Sequence, residues 1–299
     1  DNLFENWFWF RYPVITVEVK LRRPVGTVFS VFGGPIYLVS RSPANYSVKL
    51  FGVYEYPYYD QRSEKSKEVW ESGKWLDYTI PFMEFSADTW SFCVETKLFR
   101  NSSALDMYLR TTAGFDRIGK TMTNFVGMHY NESRIMKMSF DVQISVGAAH
   151  AGYPIMAHLY WQDDLVNINK TMTTNIWGYC HEFGHNLQRP WYMLEQCLEV
   201  TNNIMCLVAY NYVLNMSQFE LGKGIVMSRL DAIVNWWNSN GTYPDWSNMG
   251  EMYYAYIGTT MGIAAVGNTW RAYELHPEIR ERRGFDLTTV GIFIQHGNY

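Results

Sequence analysis

One pentapeptide, His181-Glu182-Phe183-Gly184-His185, constrains the fold more than any other part of the 299-residue sequence. Residues i and i+4 of an α-helix lie one turn apart on the same face, so both imidazoles can bind one metal ion if the segment is helical. Glu182 is then offset by about 100° around the helix axis from the first histidine. That offset places its carboxylate beside the metal, where a general base acts on a metal-bound water. The pattern predicts a zinc-binding helix with Glu182 as the catalytic residue.

The flanking residues favour a helix over residues 174–188. Thr174 can cap its N-terminus, and Pro190 cannot continue a helix and so marks its end. Gly184 costs about 1 kcal/mol in a helix interior relative to alanine. Such a cost suggests that this glycine admits a close neighbour, either a substrate or a helix that carries another metal ligand.

A catalytic zinc needs a third protein ligand, and the next predicted helix, 194–215, offers Glu195 and Glu199. Asn203 lies one turn after Glu199 on the same face, where it can accept a hydrogen bond from a metal-bound imidazole. Glu195 lies one turn earlier on that face, so geometry alone leaves both carboxylates open. Two histidines and one glutamate from consecutive helices form the gluzincin arrangement.

Residues 141–212 resemble the enhancin-like, mucin-degrading zinc metallopeptidase family. The matching segments are Asp141-Val142-Gln143-Ile144-Ser145, Ala151-Gly152-Tyr153-Pro154-Ile155-Met156, His181-Glu182-Phe183-Gly184-His185-Asn186-Leu187-Gln188, Trp191 and Glu199-Val200-Thr201-Asn202-Asn203-Ile204. The resemblance implies a zinc endopeptidase that acts on O-glycosylated, mucin-like proteins. It assigns Zn²⁺ to His181, His185 and Glu199, and it assigns catalysis to Glu182.

A second hypothesis comes from the same resemblance, which extends to the peptidase-like domain of TRP channel-associated factors. Some of those proteins have a partner-binding role, so the chain is alternatively a non-catalytic binding or structural module at the cell surface. The intact His-Glu-x-x-His pattern argues against this alternative, because a scaffold does not need Glu182.

The order of the predicted elements indicates an α+β fold. Val-rich and aromatic segments predict strands at 14–19, 28–32, 36–39, 46–53 and 75–82, and further strands at 91–95 and 139–146. Helical spacing predicts helices at 104–118, 174–188, 194–215, 222–238, 247–274 and 286–296. We therefore predict a β-sandwich-like N-terminal domain, residues 1–85, followed by a mostly helical gluzincin-type zinc peptidase domain, residues 86–299.

Residues 149–156 follow a Val/Ile-rich strand, and Gly152 and Pro154 keep them extended. We expect this segment to form an edge strand beside the zinc, because an extended peptide substrate pairs with an exposed edge. The substrate-binding candidates are His150, Gly152, Tyr153 and Trp191, although His150 also fits a purely structural role. The candidate donors to the oxyanion are Tyr253, Tyr254 and Tyr256, among which the sequence does not choose.

Composition limits the partners and the compartment. A net charge of −4 without a basic stripe excludes a nucleic-acid partner, and no apolar run reaches the length of a membrane span. Six N-x-S/T sequons predict glycosylation in a secreted or cell-surface protein; they lie at Asn45, Asn101, Asn131, Asn169, Asn215 and Asn240. The sequence gives no indication of the oligomeric state. Cys180 is a packing residue, an inhibitory ligand, or half of a bridge to Cys197.

Overall fold

The computed structural model describes residues 8–21, 24–40, 45, 47–132, 134–172, 176–189, 198–214, 267–268 and 270–271. The strands in this part of the chain are β1 (Tyr58–Asp60), β2 (Phe82–Ser86), β3 (Trp90–Glu95), β4 (Met136–Asp141), β5 (Ala149–His150) and β6 (Ile155–His158). The α-helices are α1 (Glu64–Glu71), α2 (Thr96–Phe99), α3 (Ala104–Arg110), α4 (Asp116–Phe125), α5 (Gln162–Val166), α6 (Ile168–Lys170), α7 (Trp177–Leu187) and α8 (Leu198–Tyr212). A π-helical turn, Thr111–Phe115, joins α3 to α4.

The six strands form one mixed sheet in the order β1-β2-β3-β4-β6-β5. β2 is antiparallel to β3 and β5 is antiparallel to β6, while the other pairs are parallel. The fold is therefore mixed α/β. β5 lies at one edge of the sheet, and the register of its pairing places His150 opposite Met156.

One face of the sheet packs against the helices. Side chains alternate between the two faces of a strand, so Trp90, Phe92 and Met138 all point toward the helical layer and are buried. The ring of Phe183 on α7 lies 4.8 Å, centroid to centroid, from the ring of Trp90 on β3. This aromatic contact fixes α7 on the centre of the sheet.

The opposite face of the sheet is polar and is covered by the N-terminal residues. Glu84 on β2 accepts hydrogen bonds of 2.6 Å from the hydroxyls of Tyr37 and Ser91 and pairs with Lys137 at 2.7 Å. Burial acts to raise the pKa of Glu84, but the Lys137 ammonium and these hydrogen bonds hold it below its ordinary value. The contacts join residues from the N-terminal region to the sheet.

The predicted N-terminal strands are wrong for the part of residues 8–57 that the structure describes, where no strand forms. The described residues of the strands predicted at 14–19, 28–32, 36–39 and 46–53 belong to no strand, and Val31, which lies in a turn, is 74% exposed. Val-rich alternation indicates only that a segment fits a sheet, and a strand needs a partner. No separate β-sandwich is found among the described residues.

Two later strand predictions are wrong in part: the strand at 139–146 ends at Asp141 as part of β4, and the strand at 75–82 is largely replaced by other structure. Lys74–Asp77 is a 3₁₀-helix, and the following strand, β2, begins at Phe82. The strand at 91–95 is confirmed as β3, and the helix predicted at 174–188 is confirmed as α7. β2 pairs with β3, so the sheet continues across residue 85, where the domain boundary is predicted. The division into domains 1–85 and 86–299 stays a prediction. The helices predicted at 222–238 and 286–296 lie outside the described residues.

Within the described ranges, no helix combines the length and the apolar character that a membrane crossing needs.

Candidate metal centre

Helix α7 buries one face in the core and carries the two histidines on the adjacent face. Tyr179, Phe183 and Leu187 are buried against the core, and His181 and His185 lie half-buried on the adjacent face. The two imidazole rings have centroids 4.7 Å apart and are almost perpendicular. The i, i+4 spacing therefore brings both rings to one point, as predicted.

Helix α8 brings Glu199 to the same point. Its Oε2 lies 3.0 Å from Nε2 of His181 and 3.6 Å from Nε2 of His185. One ligand atom from each of the three side chains lies within 4.8 Å of the others. The Glu199 side chain is 63% exposed. Glu195, the alternative ligand, lies outside the described residues.

The far nitrogens of both imidazoles are anchored by amide oxygens. Nδ1 of His181 lies 3.1 Å from Oδ1 of Asn203, and Nδ1 of His185 lies 2.9 Å from Oε1 of Gln188. An amide oxygen only accepts, so each Nδ1–H donates, and each Nε2 lone pair faces the centre. The predicted Asn203 contact is present. Gln188 was not predicted, although its position three residues after His185 is a usable signal.

His181 is suited to bind a metal in its neutral form. Burial lowers the pKa of His181, and the neighbouring His185 lowers it further, against the opposing effect of Glu199. Two imidazole nitrogens and one carboxylate oxygen are the protein ligands of one class of catalytic zinc site. The residues present therefore fit Zn²⁺.

Close packing of α8 against α7 explains Gly184. A Cβ at this position would lie 2.1 Å from Oδ1 of Asn202 and 3.2 Å from Cβ of Met205. We predicted a close neighbour at Gly184, and that neighbour is α8, the helix that carries Glu199. Since any larger side chain would push α8 away, Gly184 sets the distance between the third ligand and the two histidines.

Glu182 is buried beside the centre, with 7% of its surface exposed. Burial raises the pKa of its carboxyl group, while His185 and His150 lower it. The backbone of Ala151 forms a hydrogen bond with the same carboxylate. Ala151 was not predicted, and it links the general-base candidate to the edge segment.

The predicted edge segment lies directly against α7. The side chain of Asn186, the residue after His185, accepts from the backbone N–H of Gly152 at 3.0 Å and donates to its carbonyl at 2.9 Å. Gly152 has a φ of 137°, a conformation that favours glycine. The segment therefore lies within contact of the metal helix, as predicted, and Asn186 is a site residue that sequence reasoning missed.

His150 lies in the same segment and holds its bend. Its Nε2 is 2.8 Å from the hydroxyl of Ser145, and its Nδ1 is 2.8 Å from the carbonyl of Ala151. Because a carbonyl only accepts, Nδ1 donates and Nε2 accepts from Ser145. These bonds favour a structural role for His150, beside the substrate-binding role that stays a prediction.

Other predicted residues have mixed outcomes. Cys180 is a buried free thiol, which supports packing over a bridge. The sequon residues within the described ranges, Asn45, Asn101, Asn131 and Asn169, are exposed. The N-cap of α7 is Ile176 rather than the predicted Thr174, and no side chain caps it. The remaining candidates lie outside the described ranges: Trp191, Cys197, Asn215, Asn240, Tyr253, Tyr254 and Tyr256.

A family model described as Peptidase M60, enhancin and enhancin-like, matches residues 52–254. The chain is also similar to TRPM8 channel-associated factor 1 of Homo sapiens, with 28% identity over 220 residues, or 72% of this chain and 23% of the relative. TRPM8 channel-associated factor 2 of Bos taurus shares 28% identity over 224 residues, or 74% of this chain and 24% of the relative. The chain thus spans about a quarter of the length of these relatives.

Solved structures show weaker likeness. The M60 catalytic domain of Clostridium perfringens ZmpC, solved in complex with the sialyl T antigen, has 19% identity and a TM-score of 0.39 over 53% of this chain and 33% of its own. A conserved protein of unknown function from Bacillus anthracis has 13% identity and a TM-score of 0.47 over 60% of this chain and 37% of its own.

Proposed function

We propose, since this chain belongs to the peptidase M60, enhancin and enhancin-like family, that it is a zinc-dependent endopeptidase that cleaves O-glycosylated, mucin-like proteins. One observation carries the proposal: the ligand atoms of His181, His185 and Glu199 converge, and the buried carboxylate of Glu182 lies beside them. This is the arrangement that metal-assisted peptide hydrolysis requires.

Each residue has a distinct task in the proposed reaction. His181, His185 and Glu199 would hold the zinc, which would supply a Lewis acid to polarise the scissile carbonyl and promote ionisation of water. Glu182 accepts the proton of the attacking water and delivers it to the leaving amine. The backbone of Ala151 holds the Glu182 carboxylate in position.

The edge segment binds the substrate in this proposal. β5 pairs with β6 on one side, and an extended peptide adds to the other side of such an edge through backbone hydrogen bonds. His150, Gly152 and Tyr153 then lie along the substrate. Exposed sequon residues such as Asn101 and Asn131 support a secreted or cell-surface location for the protein.

Glu182→Gln tests the proposal, because it preserves the shape of the side chain but removes the base. We expect the rate of cleavage of a mucin-type glycoprotein to fall about 10²–10⁴-fold while the zinc content stays unchanged. Glu68→Gln, which changes an exposed glutamate on α1, is the matched control and should cleave at the wild-type rate. Equal rates for Glu182→Gln and wild type would exclude Glu182 as the base.

A second function is favoured by the curated relatives, whose names describe channel-associated factors. In this alternative the chain binds a membrane-channel partner and cleaves nothing. The same assay distinguishes the two functions. If wild-type protein carries its full complement of zinc but cleaves neither a mucin-type glycoprotein nor casein, the binding function is supported.

A further inference from the structure

Three chain segments meet around Asn186, next to the metal centre. Its side-chain amide donates to the carbonyl of Gly152 and, at 3.4 Å, to the sulfur of Met136 at the start of β4. Tyr153 follows Gly152, and Arg134 precedes Met136 by two residues. Arg189 follows the end of α7. The hydrogen bonds of Asn186 therefore bring the segments that carry Arg134 and Tyr153 to the end of α7, and Arg189 follows there in the chain.

Arg134 is fixed over the ring of Tyr153. The guanidinium carbon lies 4.3 Å from the ring centroid, and Tyr153 remains 41% exposed. Stacking on an aromatic face orients a guanidinium group but leaves its N–H groups available to an anion. The pair therefore combines a positioned positive charge with a partly exposed tyrosine.

Arg189 adds a second positive charge to this cluster. Its guanidinium group contacts the sulfur of Met128 at 3.0 Å and the carbonyl of Gln188 at 3.4 Å, both of which are neutral. Burial raises the pKa of Tyr153, and the positive charges of Arg134 and Arg189 both oppose that rise. Among the side chains that the structure describes, no carboxylate forms an ion pair with either arginine.

We propose that Arg134, Tyr153 and Arg189 form an anion-binding subsite for a carboxylate carried by the substrate. Guanidinium groups bind carboxylates through paired N–H donors, and the Tyr153 hydroxyl adds a further donor. The carboxylate belongs either to an acidic side chain of the peptide or to an acidic sugar on it. This inference rests on the proposed function, because it assigns the substrate class of that same cleft.

The test uses one mucin-type glycoprotein in three forms: intact, treated with sialidase, and treated with sialidase and then amidated at its carboxyl groups. We expect kcat/KM of the wild-type enzyme to fall about tenfold at one of the two steps, the value of one lost charged hydrogen bond. A fall at the first step identifies the sugar carboxylate, and a fall at the second identifies the peptide carboxylate.

The double variant Arg134→Gln, Arg189→Gln should lose most of this preference and cleave the three forms at similar rates. Arg100→Gln, which removes an exposed charge at the end of α2, is the matched control and should keep it. Equal wild-type rates on all three forms would overturn the proposal. An undiminished preference in the double variant would overturn it as well.

Affinity measurements distinguish a failure of the subsite from a failure of the proposed endopeptidase function. The Glu182→Gln protein and the same protein with both arginine changes are compared for affinity to the three glycoprotein forms. If wild type cleaves nothing, the endopeptidase proposal fails, while an arginine-dependent preference in binding still supports the subsite. Equal affinities for the three forms contradict the subsite whether or not cleavage occurs.

Discussion

The two walls of the candidate cleft are built in different ways. On one wall, α7 and α8 are held by buried packing: Phe183 lies on Trp90, and Gly184 admits Asn202. On the other wall, the edge segment is held by hydrogen bonds, in which the side chain of Asn186 clamps the backbone of Gly152. The difference suggests that the helical wall sets metal affinity and that the edge wall sets substrate affinity.

The anchors of the histidines belong to the helical wall. Asn203 comes from α8, and Gln188, just after α7, also donates to the hydroxyl of Thr201 at 2.8 Å. A change in the contact between the helices therefore alters both the ligand distances and the orientation of the rings. None of these anchoring contacts involves the edge segment.

The largest effect on the helical wall is expected from Glu199→Ala. Removal of one of three ligands should lower zinc affinity by more than the 10–100-fold loss that is typical when a residue hydrogen-bonded to a ligand is removed. Glu195→Ala is the control and should change affinity little, since Glu199 alone is assigned to the ion. Competition titration with a chromogenic chelator measures both affinities, and the reverse ranking would move the third ligand one helical turn.

Gly184→Ala tests the contact between the helices. The added methyl group overlaps Asn202, so the free energy of unfolding should fall by about 1–3 kcal/mol, the usual cost of overpacking. Combination with Asn202→Ala should recover part of the loss, since neither polar atom of this buried amide has a hydrogen-bond partner in the described structure. Additive losses in denaturant titrations would contradict the contact.

Asn186→Leu tests the edge wall. The substitution keeps the side-chain size but removes both hydrogen bonds to Gly152, so kcat/KM should fall about tenfold, the value of one to two neutral hydrogen bonds. Zinc affinity should stay within about twofold, which distinguishes this wall from the other. Asn186→Asp, which keeps an acceptor for the Gly152 N–H, should give an intermediate rate. A loss of zinc in Asn186→Leu would show that the walls are not independent.

The sequence predicts the helical wall well because its signals are local. The spacing of His181 and His185, and of Glu199 and Asn203, follows from the period of one helix. The roles of Asn186 and Ala151 depend on the approach of segments far apart in the chain, and no local pattern reports that approach. The N-terminal strands failed for a related reason: residues 28–32 have strand propensity but no pairing partner among the described residues.

Metal analysis of the purified protein tests the central claim most directly. We expect about one zinc ion per chain in wild-type protein that was never exposed to a chelator, and almost none in the double variant His181→Ala, His185→Ala. Clearly less than one zinc in the wild type would contradict both the centre and the proposed reaction. An unchanged zinc content in the double variant would place the metal elsewhere in the protein.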